Sequence, residues 1–418
     1  MLERTLCAAI PSLPERSTCT VFGWVTAARR LGGLTFVVLR DRSGSCQVLL
    51  DRGAPPPPEA VVRISGATRT EPRAPAGVEL HATECEIIAA PAAPPPFALH
   101  RSGIPASLET VLEHRGDSLR HPAERAVFAI QAALARGFRR HLDSLGFTET
   151  HTPKIVGAAT EGGAEVFAVD YFCRPAHLAQ SPQLYKQVLV GAGFERVYGV
   201  GAVYRAEPHA TARHLSEYVS MDVETELFGG GGAAALIALE RGVLAAMFDE
   251  VRATCAPALP MLAPPPLPDP AAAAVVPHAE ALRRTGRRRL DPEAERALCE
   301  ELGEMVFVTD WPSDERPFYT LEAERAPGRT ESFDLILRGL EVTTGGQREH
   351  RQERLAAAMR LRGVPETGFE DYLQAFARGM PPHGGFAIGL ERLTARLLGL
   401  PNVRRASLFP RDRQRLRP

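Results

Sequence analysis

The sequence predicts an α+β protein, a small closed β-barrel followed by a larger domain on an antiparallel sheet. Three observations carry this. Residues 18–91 read as five short alternating runs, TCTVFGWVTAARR, LTFVVLRD, SCQVLLD, AVVRISGATRT and GVELHATECEII, broken by LGG, RSG and APAG turns. Five strands in so short a stretch suit a barrel of the OB type. Beyond Pro122, residues Val127, Ile130, Leu134, Phe138, Leu142 and Leu145 recur at three- and four-residue steps, an amphipathic helix with Gly146 as its stop. Alternating segments near 196–206, 217–227 and 331–343 imply an antiparallel sheet rather than a doubly wound one.

These elements divide the chain into a barrel domain over 1–95, a hinge over 96–121 and a second domain over 122–418. The hinge is Pro-rich, then weakly helical. Residues 228–275, rich in Gly, Ala and Pro and ending in APPPLPDPAAAA, read as helix fragments plus a flexible connector, part of a variable insertion around 228–300.

A chain of 418 residues with 44% apolar and 24% charged residues is a globular protein, and its net charge of −1 excludes a uniformly basic nucleic-acid coat. Any nucleic-acid site is local. Seven cysteines, at 7, 19, 46, 85, 173, 255 and 299, form no CxxC pair, which argues against a zinc–thiolate site or a disulfide framework and for a reducing compartment. The N-terminus lacks a basic segment followed by an apolar run, and nowhere do 18 apolar residues occur together, so a cytoplasmic protein without a membrane partner is expected. Of 49 basic residues only Lys154 and Lys186 are lysines. Each is a candidate for a role that a guanidinium cannot fill.

In the barrel, Arg29, Arg30, Phe36, Arg40, Arg42 and Gln47 bring cations, a ring and an amide onto adjacent strands and turns, as a nucleic-acid site needs. Phe36 equally reads as core. In the second domain, RVYGVGAVYRAEPHATARHLSEYVSMDVETEL is two strands around a polar loop, with Arg205 and Glu207 on one side, Arg213 and His214 in the loop, and Glu217, Asp222 and Glu224 returning. Two guanidinium forks can grip one polyphosphate; a solvated hairpin fits as well. HGGFAIGLERL places small residues before Glu391 and Arg392 at a helix start, while neither a P-loop nor a strand–GxGxxG–helix is present. In SFDLILRGLEVTTGGQREH, Glu341 and Thr344 before a Gly345–Gly346 turn offer oxygen ligands for Mg²⁺; Glu341 also reads as an ion-paired surface group. Finally, the acidic loop ATEGGAEVF precedes AHLAQSPQLYKQ, a helix from Ser181–Pro182 with Gln183 and Lys186 on adjacent turns.

Together these segments resemble the archaeal-type aspartyl-tRNA synthetases of class II, with TEGGAEVF, QSPQLYKQ, VYRAEPH…RHLSEY…DVE, GGQREH and GLERL…LFPRD in the family's order. The resemblance implies an anticodon-binding barrel, a class II catalytic domain, and a homodimer joined through the helix over 123–145 and the strand FTETHTP ending at Pro153. It implies catalysis by Arg205 and Arg392, and aspartate bound by Glu161, Gln183, Leu184, Tyr185, Lys186, Arg205, Thr344 and Arg348. ATP would meet Arg205, Ala206, Glu207, Arg213, His214, Leu215, Glu341, Gly389, Leu390, Glu391 and Arg392, with Mg²⁺ on Glu341 and Thr344. Thr344 stands where the family usually has Ser and keeps the hydroxyl.

Two buried cations need an anion to compensate them, so Lys186 and Arg348 favour Asp over Asn as substrate. For tRNA reading the resemblance assigns Arg29, Phe36, Gln47, Pro75 and Glu79. Pro75 matches enzymes that aspartylate both tRNA(Asp) and tRNA(Asn), whereas Thr26 stands where such enzymes often show His. A tRNA(Asp)-specific enzyme and an asparaginyl-tRNA synthetase are the alternatives, and a catalytically dead tRNA-binding protein is a third.

Overall fold

The computed structural model describes residues 4–51, 53–157, 166–208 and 211–417. It comprises two compact units, residues 1–121 and 122–418. In the first, β1 (Thr18–Leu31), β2 (Leu34–Arg40), β3 (Ser45–Leu50), β4 (Val61–Thr70) and β5 (Val78–Ala89) close into a barrel of order β1-β2-β3-β5-β4. Alternate residues such as Val21, Val25, Val37, Leu39, Val48, Ile64 and Leu80 fill its interior, the period-two outcome of the alternation in sequence. Arg40, grouped above with exposed basic residues, is instead buried and paired with Glu59 at 3.0 Å. The expected hinge carries two short helices, α1 (Leu108–Glu113) and α2 (Arg115–Ser118), and groups with the first unit.

The second unit opens with α3 (Pro122–Ser144), the long helix the periodicity predicts, and Gly146 beyond it takes a left-handed φ of 77°. There follow β6 (Thr148–Glu149), β7 (Ile155–Val156), β8 (Ala168–Tyr171), β9 (Arg174–Leu178), α4 (Gln183–Leu189), β10 (Arg196–Tyr204) and β11 (Glu217–Glu226). Next come α5 (Gly232–Thr254), α6 (Leu259–Leu262), β12 (Ala274–Pro277), α7 (His278–Thr285), α8 (Pro292–Leu302) and β13 (Met305–Thr309). The chain finishes with β14 (Ser332–Leu337), β15 (Leu340–Gln347), α9 (Gln352–Leu361), α10 (Glu370–Ala377), β16 (His383–Gly389) and α11 (Leu390–Leu397).

One eight-stranded sheet organises this unit, in the order β12-β13-β14-β15-β16-β11-β10-β6. It is antiparallel except at its two ends, where β12 pairs with β13 and β6 with β10 in parallel. Met221 and Val223 of β11, and Phe386 and Ile388 of β16, point into a core shared with Ile130, Leu134 and Phe138 of α3 and with Val243, Met247 and Val251 of α5. The intervening residues therefore point to the opposite face, among them Ser220, Asp222 and Glu224.

Two expectations are corrected. The region 228–300 is no flexible connector: α5 is a 23-residue helix in the domain core, and β12 extends the sheet. Gly345 and Gly346 are not a turn but lie within β15, the chain having reversed earlier at Arg338–Gly339. Their small size serves packing. A Cβ at Gly345 would stand 2.5 Å from Phe333 Cζ and 2.7 Å from Phe386 Cβ, so any side chain would displace two core rings.

Candidate active site

A cavity of about 320 Å³ lies on the sheet face opposite the core helices. At one end α4 delivers Gln183 and Lys186, β15 leads into Arg348, and β11 supplies Asp222. Lys186 Nζ stands 3.2 Å from both Asp222 Oδ1 and Glu224 Oε2, and Arg348 Nε donates to Glu224 Oε1 at 2.9 Å. The expected pair of cations thus converges, on a carboxylate that is fully buried. Burial would push the Glu224 carboxyl up, but Arg348 and Lys186 outweigh it and hold it below the usual range. Arg348 is fixed further by donating to the Gly385 carbonyl at 3.1 Å and by lying 5.5 Å over the Tyr319 ring. Glycine at 385 is required, because a Cβ there would meet Val223 O at 2.0 Å and Glu224 Oε2 at 2.6 Å.

This geometry corrects the charge argument drawn from sequence. Lys186 and Arg348 are not uncompensated, for Asp222 and Glu224 already match them one for one. Behind Glu224, burial lowers His383 to about 4, so at neutral pH the imidazole adds no charge.

The other end is lined by Arg205, Glu207, Arg213, His214 and Leu215 from the β10–β11 hairpin, and by Gly389, Glu391 and Arg392 where β16 runs into α11. Arg205 lies 5.9 Å from the Tyr218 ring centre. Arg213 is paired with Glu295 of α8, a partner from the expected variable insertion. Glu391 faces inward but accepts from the backbone N–H of Val219 at 3.0 and 3.1 Å, and burial raises it to about 7. Its contacts brace the hairpin.

Between the two ends sit Glu341, Thr344 and Asp334. Thr344 Oγ1 is 2.7 Å from Asp334 Oδ1 and 3.4 Å from Glu341 Oε1, so three side-chain oxygens share one spot. Arg316 reaches Asp334 at 2.8 Å and Arg392 reaches Glu341 at 3.5 Å. Asp334 is buried behind Glu341 and Thr344, which open onto the cavity as a carboxylate and a hydroxyl. This fits Mg²⁺, an ion that keeps waters and shares phosphates rather than taking a closed protein cage.

Four expected contacts fall elsewhere. Leu184 packs on the apolar cluster around Phe318 and Tyr372, and Leu390 belongs to the central core. Tyr185 and Ala206 do not line the cavity. Glu161 lies outside the described residues. The sequence reading missed Asp222 and Glu224 as site residues, and also Asp334, Arg316 and Glu295. Asp334 carried a signal, an acid within the apolar run SFDLIL.

In the barrel, cross-strand pairing sets Arg29 beside Phe36, Val38 beside Gln47, and Gln47 beside Glu79. Phe36 is half-buried, and Gln47 Nε2 donates to Glu79 Oε2 at 2.7 Å. Pro75 is exposed in the loop before β5.

Residues 107–413 match the model for tRNA synthetases class II (D, K and N), and residues 19–88 match that of the OB-fold nucleic acid binding domain. The chain belongs to the class II tRNA synthetases. Among relatives of this synthetase are two named aspartate–tRNA(Asp/Asn) ligase. The protein from Thermus thermophilus is 45% identical, covering 95% of this chain and 96% of its own length; that from Deinococcus radiodurans is 42% identical, covering 100% and 99%. Among solved structures, asparaginyl-tRNA synthetase from Pyrococcus horikoshii with asparaginyl-adenylate superposes with TM-score 0.92 at 28% identity over 100% of both chains. Aspartyl-tRNA synthetase from Entamoeba histolytica gives 0.87 at 28%, over 100% of this chain and 93% of that one. Solved structures named for asparagine and for aspartate thus share this fold. Among the described residues no helix is long and apolar enough to cross a membrane.

Proposed function

We propose that this synthetase attaches L-aspartate to tRNA through aspartyl-adenylate, and that it serves both tRNA(Asp) and tRNA(Asn). The aspartate reading is carried by the full-length relatives named aspartate–tRNA(Asp/Asn) ligase, and Lys186 and Arg348 are the cations in the cavity placed to meet a carboxylate side chain. Support for the double tRNA specificity comes from the relatives' names and from Pro75.

Lys186 and Arg348 receive the substrate's side-chain carboxylate, and Arg205 steadies its α-carboxylate against the α-phosphate. That carboxylate attacks the α-phosphorus in line and the bond to pyrophosphate breaks; the terminal ribose hydroxyl of tRNA then takes the aspartyl group and AMP leaves. Positioning and electrostatics supply the catalysis, with Arg205 at the α-phosphate and Arg213 and Arg392 on the departing phosphates. Glu341 and Thr344 would hold Mg²⁺, with Asp334 orienting the Thr344 hydroxyl, and the ion when bound neutralises charge on phosphate oxygens. Glu207 and His214 close the nucleotide end.

Two copies pair through the segment ending at Pro153. The sheet edge supports this, since β6 covers only Val197 and Tyr198 of β10.

Charging purified tRNA(Asp) and tRNA(Asn) transcripts side by side tests the specificity. Comparable aspartylation of both is expected, and negligible charging of tRNA(Asn) would favour the tRNA(Asp)-specific reading. In the barrel, Phe36→Ala removes a stacking ring worth ~1–3 kcal/mol per base. It should weaken tRNA binding by about ten- to a hundredfold while aspartate-dependent pyrophosphate exchange stays at the wild-type rate. Equal tRNA affinity in a filter-binding assay would place the ring in the barrel's packing instead.

A further inference from the structure

The chain's two lysines, Lys154 and Lys186, line one and the same second cavity, of about 190 Å³. Lys186 and Asp222 also line the larger cavity and so stand in the wall between the two. Strand β10 makes this placement possible. Gly199 and Gly201 are the cross-strand partners of Asp222 and Ser220, and the missing side chain at 201 leaves the space that Lys154 occupies. A Cβ at Gly201 would lie 3.5 Å from both Cε and Nζ of Lys154. The backbone at this lysine is tied down as well, since Ala179 N donates to Lys154 O at 2.9 Å and Tyr204 N donates to Ala179 O at 3.0 Å. Burial pulls the ammonium's pKa down and Asp222 pulls it back up, so the two groups feel one another.

The charge count at the substrate end gives Lys154 its consequence. Lys186 and Arg348 carry two positive charges, Asp222 and Glu224 two negative ones, and His383 is neutral. Taken alone, that set balances before any ligand arrives, and an anionic side chain entering it would leave an uncompensated negative charge in a desolvated site. Lys154 is the third cation. It shares the second cavity with Asp222 without an ion pair within 4 Å, so it acts on that carboxylate through the field across the cavity rather than by contact.

We propose that Lys154 is a positioning and specificity residue: its positive charge, set in the cavity that Asp222 and Lys186 also line, weakens the hold of Asp222 on Lys186 and favours an anionic substrate side chain there, so that a carboxylate is favoured over an amide. The inference rests on the aspartate-activating reading above and deepens it.

The test is Lys154→Met in the full-length protein, read by ATP–pyrophosphate exchange with aspartate. The KM for aspartate should rise about tenfold, a typical coupling for a member of one charged network, with a smaller change in kcat and an unchanged melting temperature. Preference for aspartate over asparagine should fall by a similar factor. Lys154→Arg, which keeps the charge and has the cavity to occupy, should recover most of the loss. A folded Lys154→Met enzyme with wild-type KM would overturn the proposal, as would an arginine variant as impaired as the methionine one, which would indicate packing alone. Should the methionine variant not fold, Lys154→Gln carries the same expectation and the same refutation. A wild-type protein with no aspartate-dependent exchange would instead overturn the functional reading on which this one stands.

Discussion

Lys186→Met should nearly abolish aspartate activation while the barrel still binds tRNA. The methionine keeps much of the stem's length but removes the ammonium that stands 3.2 Å from both Asp222 and Glu224. Truncating one partner of a buried charge pair costs ~2–5 kcal/mol, so aspartate-dependent exchange should fall by about 30- to several thousandfold. Arginine should not rescue it. The site is enclosed on both sides by carboxylates, and a longer planar guanidinium has no equivalent seat there. Normal activation by the methionine variant would remove Lys186 from the site.

Glu224→Ala should instead strike stability. Without that carboxylate, Lys186 and Arg348 lose the buried counter-charge they share, and breaking such a pair typically costs ~3–5 kcal/mol. Urea unfolding read from Trp311, with Trp24 replaced by Phe so that the barrel is silent, measures it in the right unit. The pH dependence has a definite sign. Although burial alone would raise the Glu224 carboxyl, its cationic neighbours leave it below the ordinary range. Its contribution is therefore fully present above the unfolded value of about 4.3 and is lost as pH falls through the folded one. The gap between wild type and variant should narrow in acid. A variant within about 1 kcal/mol of wild type at neutral pH would mean that the two cations find other partners.

These charged groups also mark where sequence reading ran out. The barrel strands and α3 were legible because burial on one face imposes a period, and periods survive in sequence. The end of the cavity proposed for ATP was legible for another reason: Arg205, Arg213 and Arg392 lie in compact segments that each announce themselves. Counter-charges do not. Asp222 and Glu224 look like the solvated side of a hairpin, and only the fold brings Lys186 and Arg348 to them from residues 36 to 126 positions away. Composition misled at α5, where flanking glycines and prolines masked an apolar stripe through Leu236, Val243, Met247 and Val251. The Gly345–Gly346 pair misled likewise, since two glycines signal a turn while here Gly345 admits Phe333 and Phe386 and Gly346 admits the neighbouring backbone at Glu331 and Ser332. Leu184 and Tyr185 sit between Gln183 and Lys186, which line the cavity, yet a helix turns successive side chains about 100° apart, and these two leave it.

On a fold that also serves an amide, the buried Lys186, Arg348, Asp222 and Glu224, with the half-buried Lys154 beside them, choose an acidic amino acid. ATP–pyrophosphate exchange run in parallel with aspartate and asparagine measures that choice most directly. Exchange driven by aspartate, with asparagine at least about a hundredfold poorer in kcat/KM, is the result predicted. Exchange driven by asparagine, or by both alike, would contradict it.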